Sequence, residues 1–123
     1  MLHLLRVAHS LLREKLKNSS RSSHWPFVRA AFLKSSPTCA ACGGTKLLQV
    51  HHVRPFHLWP ELELQHSNLI ALCMGKEDCH LFIGHGRSFS RWNPEVREHA
   101  AQYLLSPSSR ARIRIEAAAR SES

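Results

Sequence analysis

Apolar residues recur at helical spacing at the start of the chain, where Leu5, Ala8, Leu12 and Leu16 share a stripe flanked by Leu4 and Leu11, and Arg6, Arg13, Lys15 and Lys17 fall mostly elsewhere. That pattern predicts an amphipathic basic helix. A Ser-rich break, NSSRSSH, leads into WPFVRAAFLK, where Pro26 suits the first turn of a second, short helix. KLLQVHHV alternates loosely and is β-branched at Val50 and Val53, so it predicts a strand ending near Arg54-Pro55. Between Pro55 and Ser67 the chain must form a long connection, because Pro60 interrupts any regular helix there. NLIALC predicts a short apolar strand or extended run, and HLFIGHG the start of a helix whose length is limited by Gly84 and Gly86. WNPEVREHAAQYLL predicts a further helix, with Asn93 as cap, Pro94 in the first turn, Glu95 and Glu98 near the N-terminus, and Val96, Ala100, Tyr103 and Leu104 on one face. The Ala- and Arg-rich tail from Ser106 reads equally as helical or disordered, and no internal repeat is evident.

A chain of 123 residues carrying this pattern suits one domain with a thin core, which needs reinforcement. Cysteine chemistry offers it. Cys39 and Cys42 form a C-x2-C pair in TCAACGG, and Cys73 and Cys79 follow after thirty intervening residues. Four thiolates so arranged match a closed tetrahedral site for structural zinc. The small residues and glycines of the first pair suit a tight knuckle whose backbone N–H groups turn toward sulfur. The second pair encloses the longer loop MGKED, and disulfides or free buried thiols are the alternatives. No secretory signal peptide is visible, which favours a reducing, cytoplasmic setting in which thiolates hold zinc; the Arg- and Ser-containing N-terminus has a rival reading as a transit peptide. No apolar run approaches the roughly 20 residues needed to span a membrane.

Seventeen Lys and Arg against nine Asp and Glu give a formal net charge of +8. Such an excess points to a polyanionic partner whose phosphates it neutralises, with Trp25, Trp59 and Trp92 available to stack on bases; the alternative is a merely solvated basic surface.

Histidine is the remaining signal. Neutral imidazole binds zinc and transition metals and transfers protons near neutral pH. His3, His9, His24, His57, His66 and His99 stand alone and read as surface or hydrogen-bonded residues, whereas His51, His52, His80 and His85 form a set. His80 follows a cysteine of the second pair and is thereby fixed relative to the strand that bears His51 and His52. Adjacent residues of a regular strand face opposite sides, so the strand must end or bulge for both to serve one site. One could then bind a metal while its neighbour accepts a proton from water.

The segments CAAC, VHHVRP, SNLIALC and CHLFIGH, in that order over residues 37–86, resemble the HNH endonuclease family with its ββα-metal core. WPFVRAAFLKSSPTCAACGG and FSRWNPEVREHA resemble the flanks of small phage-like members and extend the similarity to residues 24–101. The resemblance implies an α+β fold: a small ββα-metal core with a pair of zinc knuckles, flanked by N- and C-terminal helices. The expected organisation is a basic helix and Ser-rich linker over 1–23, the nuclease domain over 24–105, and a basic Ala/Arg-rich tail over 106–123.

By the same resemblance His52 is the general base, His51 and His80 are ligands of a catalytic ion, and Asn68 braces the loop between strand and helix. His85 follows His80 by five residues, an offset that separates the rings in an ideal α-helix, so it ligates only if the helix is distorted. The implied reaction is single-metal hydrolysis of DNA, giving 5′-phosphate and 3′-hydroxyl ends by nicking or double-strand cleavage. Histidine ligation accommodates zinc, nickel, manganese or magnesium, although magnesium prefers oxygen ligands. Arg54, Arg87 and Arg91 are candidate phosphate contacts by position, with ordinary solvated charge as the alternative. Expected partners are DNA and, through the N-terminal helix, a phage packaging protein or another protein, in a bacterial or phage-encoded intracellular setting. The competing reading is an inactive zinc-stabilised module that binds nucleic acid.

Overall fold

The computed structural model describes residues 21–123, so the predicted amphipathic helix of the N-terminus lies outside the described residues. Among these, the chain forms a small α+β domain with one two-stranded antiparallel sheet and three α-helices. Helix α1 (Trp25–Ser35) starts with Pro26 in its first turn, as its fixed φ favours, and buries no residue fully. Strands β1 (Leu48–His52) and β2 (Leu69–Cys73) pair from Leu48 opposite Cys73 to His52 opposite Leu69. The connection between them is held by two 3-10 turns, Pro60–Leu62 and His66–Asn68, rather than by a helix.

All of β2 is buried, and Ile70 and Leu72 join Ile83, Val96, Ala100, Tyr103 and Ile113 in the core together with Cys39, Cys73 and Cys79. The cysteine cluster is therefore part of the core. No helix among the described residues is long and apolar enough to cross a membrane.

The tail composed of Ala and Arg is no appendage. Helix α3 (Arg110–Arg120) inserts Ile113 and Ala117, both fully buried, and the residues after it pair back through a bridge between Trp92 and Glu122. Residues 106–123 thus belong to the same packed unit as the segment before them. Helix α2 (Val96–Leu105) buries Val96, His99, Ala100 and Tyr103. Leu104, expected on that face, is exposed, and His99 takes its place because Nδ1 accepts a hydrogen bond from Asn93 Nδ2 at 2.9 Å. Asn93 itself lies two residues before the helix cap, where its Oδ1 accepts the Glu95 N–H at 3.0 Å and its Nδ2 also donates to the Ile83 carbonyl at 2.9 Å.

Gly86 joins the tail to the rest. Its φ is +56°, and a Cβ there would stand 2.0 Å from Ser121 Oγ and 2.6 Å from Ser121 Cβ. Gly86→Ala combines left-handed strain with a clash that the chain can relieve only by moving the end of α3. We expect a loss of about 2 kcal/mol or more, seen as a lowered urea midpoint with an unchanged slope. A midpoint equal to wild type would mean that this junction bears no stability.

Candidate metal centres

None of the four cysteines is in a disulfide, and their sulfurs lie within 4.8 Å of one another. Cys42 Sγ and Cys73 Sγ are 3.6 Å apart, far beyond the roughly 2.05 Å of a disulfide. Tetrahedral sulfurs at the usual zinc distance of about 2.3 Å would be separated by about 3.8 Å, so the cluster has the dimensions of a tetrathiolate metal site.

Its knuckle forms as the sequence suggests. Gly43 adopts φ +78°, the chain closes with Cys39 N–H donating to the Gly44 carbonyl at 2.7 Å, and Cys39 Sγ accepts N–H groups from Cys42 (3.5 Å) and Cys73 (3.4 Å). Cys39 is held down to about 4, chiefly by the hydrogen bond its sulfur accepts from Cys79, while Cys79 is pushed far up by that same bond and by burial. Burial pushes Cys42 up to about 11. Four crowded sulfurs cannot all ionise by themselves; a dication removes the conflict by neutralising them together.

The second group is made of His51, His80 and His85, whose ligand nitrogens also lie within 4.8 Å of one another. His51 comes from β1. His80 and His85 bracket a π-helical turn, His80–Gly84, closed by His85 N–H donating to the His80 carbonyl at 3.1 Å. The extra residue in that turn brings positions five apart onto one side, which an α-helix would not do. His85 therefore joins the cluster through the helical distortion on which its role depended. Ring centroids are 4.7 Å apart for His51–His85, 4.7 Å for His80–His85 and 5.1 Å for His51–His80.

His80 Nε2 and His85 Nε2 face each other at 3.2 Å, close to the roughly 3.3 Å between nitrogens sharing a tetrahedral zinc. His85 Nδ1 donates to the Arg91 carbonyl at 2.7 Å, so its Nε2 carries the lone pair. His51 Nε2 is buried without a hydrogen-bond partner, a costly state that coordination would relieve. Burial favours the neutral form of all three imidazoles: His51 falls well below the ordinary histidine value, His80 is pushed down to about 4, and His85 is lowered as well, with the Arg91 carbonyl acting against the shift. Three neutral nitrogens suit zinc or nickel better than magnesium.

Gly84 permits this approach. A Cβ on it would stand 3.1 Å from His51 Cε1, 3.2 Å from His51 Nδ1 and 3.1 Å from Leu72 Cδ1. Gly84→Ala should push the His51 ring outward by a few tenths of an ångström and weaken zinc binding at the histidines about ten-fold. Competitive titration of zinc-loaded wild type and variant reads this, and equal affinity would show that the ring gives way without cost.

His52 lies apart from the three. The strand is regular through both histidines, so His51 shares a face with Ile70, and His52 shares the other with Leu69. No bulge is present, yet His51, His52, His80 and His85 all border one cleft of about 320 Å³, whose lining runs from Val50 within the strand to Pro55 and Phe56 after it. His52 Nε2 is 2.9 Å from the Glu63 carbonyl and its ring packs on Trp25 at 4.6 Å. A carbonyl only accepts, so Nε2 carries the proton and Nδ1 the free lone pair. Burial lowers the basicity of His52, with Arg21 acting in the same direction and the Glu63 carbonyl against it.

Asn68 is a brace. Its Oδ1 accepts Arg54 N–H at 2.9 Å, and its Nδ2 donates to the carbonyls of Arg54 (3.1 Å) and Leu62 (3.3 Å), fixing the chain after β1.

The three arginines diverge. Arg54 is exposed, its guanidinium stacked on Trp59 at 4.9 Å, and Arg87 is exposed with φ +79°. Arg91 Nη2 is committed to the carbonyls of Ala118 (2.8 Å) and Ser121 (2.6 Å), so this residue ties the cleft wall to the end of α3 instead of standing free as a phosphate contact. Trp92 is buried, Trp59 packs edge-on against it at 5.1 Å, and Trp25 covers His52, so the tryptophans serve packing. Arg21 and Phe89 border the cleft and were not singled out by the sequence. Arg21 sits in a Ser-rich break and Phe89 between two serines, where no periodicity marks either.

No protein-family model, curated protein or solved structure matches the chain.

Proposed function

We propose that the protein is a metal-dependent DNA endonuclease of the HNH type, with structural zinc at Cys39, Cys42, Cys73 and Cys79 and a catalytic divalent ion at His51, His80 and His85. The observation that carries this reading is the convergence of three ligand nitrogens within 4.8 Å on the cleft that His52 also borders. The order strand, strand, helical turn, with one histidine at the end of β1 and two around the turn, supports it.

When bound, a divalent ion at the three histidines supplies Lewis-acid stabilisation of charge on the phosphate and the departing oxygen. His52 takes the proton of the attacking water on Nδ1, since its neutral form and tautomer leave that nitrogen as the acceptor. The Glu63 carbonyl then stabilises the imidazolium through the Nε2–H bond. Asn68 positions the chain that carries Arg54, and the exposed Arg54 and Arg87 supply positive charge for the polyanion. Zinc, nickel and manganese are the ions expected to support the reaction, and magnesium the poorest.

A second reading, a zinc-stabilised module that binds nucleic acid without cutting it, is favoured by the packing of His52 between Trp25 and Glu63. A plasmid-nicking assay with zinc, nickel, manganese and magnesium in turn separates the two. Conversion of supercoiled to open-circular DNA is expected; retained DNA binding with no conversion under any ion would favour the module.

A further inference from the structure

Phe89 is out of place as a core residue. It is 57% exposed, yet its ring stands 4.9 Å from that of His85 and 5.6 Å from that of His80, on the lip of the histidine cleft. Its segment is held at both ends: Gly86 packs on Ser121, Arg91 N–H donates to the Ser88 carbonyl at 2.9 Å, and Trp92 and Glu122 exchange two backbone hydrogen bonds of 2.8 Å each. An apolar ring is thus presented to solvent by an anchored turn. Arg21, which also lines the cleft, places its guanidinium 4.6 Å over Phe56 with Nη1 3.5 Å from Glu63 Oε2, and the exposed Arg87 precedes Phe89 by two residues in the chain.

Aromatic and cationic groups lining one groove suit a single strand, where rings take bases and guanidinium groups take phosphates. In a closed duplex both faces of every base are covered, so a side chain next to the cut phosphate can stack only where a base is unpaired or its step is opened. We propose that Phe89 stacks on an unpaired base adjoining the phosphate held at His51, His80 and His85, so that the cleft takes single-stranded or locally opened DNA in preference to closed duplex. This rests on reading the cleft as a nucleic-acid site, and it does not require cleavage.

The test uses zinc-loaded full-length protein and fluorescence anisotropy, with an oligothymidylate of about 12 nucleotides and a mixed-sequence duplex of the same length. Wild type should bind the single strand more tightly. Phe89→Ala should lower that affinity about ten-fold while changing duplex affinity less than about two-fold, Phe89→Trp should restore it, and Phe89→Leu should not. Equal losses on both DNAs, rescue by leucine, or no single-strand binding by wild type would overturn the proposal. Single-strand preference dependent on an aromatic at position 89 in a protein that never nicks plasmid would keep this inference and remove the nuclease.

Discussion

A chelator able to compete with four thiolates should turn the protein into an unfolded chain, and restored zinc should refold it. Cys39, Cys73 and Cys79 are members of the core, not attachments to it, and the only sheet among the described residues has two strands. A two-stranded sheet of that size is marginal alone. Apparent binding energies of about 10 kcal/mol or more for structural zinc rival the whole stability of an ordinary domain, roughly 5–15 kcal/mol. Without the ion, crowded sulfurs with opposed demands on protons remain at the centre of the fold. The readouts are far-UV circular dichroism and tryptophan emission, which should shift to the red as buried Trp92 meets water. Cys79→Ser should behave like the chelated wild type, because it removes a fully buried ligand. An intact thermal transition after complete removal of metal would mean that apolar packing alone sustains the fold.

His52→Gln should reduce DNA cleavage by about 10²- to 10⁴-fold while leaving metal content and melting temperature close to wild type. Glutamine can still donate its side-chain N–H toward the Glu63 carbonyl, so the buried acceptor keeps a partner, but it has no basic nitrogen at neutral pH. His52→Ala is the cruder variant, since it also opens a gap beneath Trp25 and strands the carbonyl. Cleavage by His52→Gln at the wild-type rate would remove His52 from the chemistry whatever the fate of the three-histidine cluster.

Much of this arrangement is legible in the residues because short-range rules govern it. The cysteine knuckle follows from C-x2-C with two glycines, and the strands from β-branched and apolar runs on either side of a proline-containing connection. What the sequence could not show depended on geometry between segments. The π-turn that brings His80 and His85 together is invisible to periodicity, because one added residue per turn changes facing without changing composition. The place of His52, beside the cleft though on the opposite face from His51, emerges only from the segments that together line that cleft. Arg91 looked like a free cation because the carbonyls it binds lie at the end of a helix that composition alone marked as tail. Phe89 carried no signal at all, since an exposed aromatic between serines becomes notable only when the rings beside it are known.

Two separate metal sites, one closed and made of sulfur, the other made of nitrogen on an open cleft, underlie the proposed chemistry. Elemental analysis of protein saturated with zinc and then desalted tests for both directly, comparing wild type, His52→Gln and His80→Ala. A tightly held ion is expected in all three proteins, and a second, more readily exchanged ion in wild type and His52→Gln that His80→Ala fails to retain. A second ion held equally by His80→Ala, or none bound by wild type at saturating zinc, would contradict this arrangement.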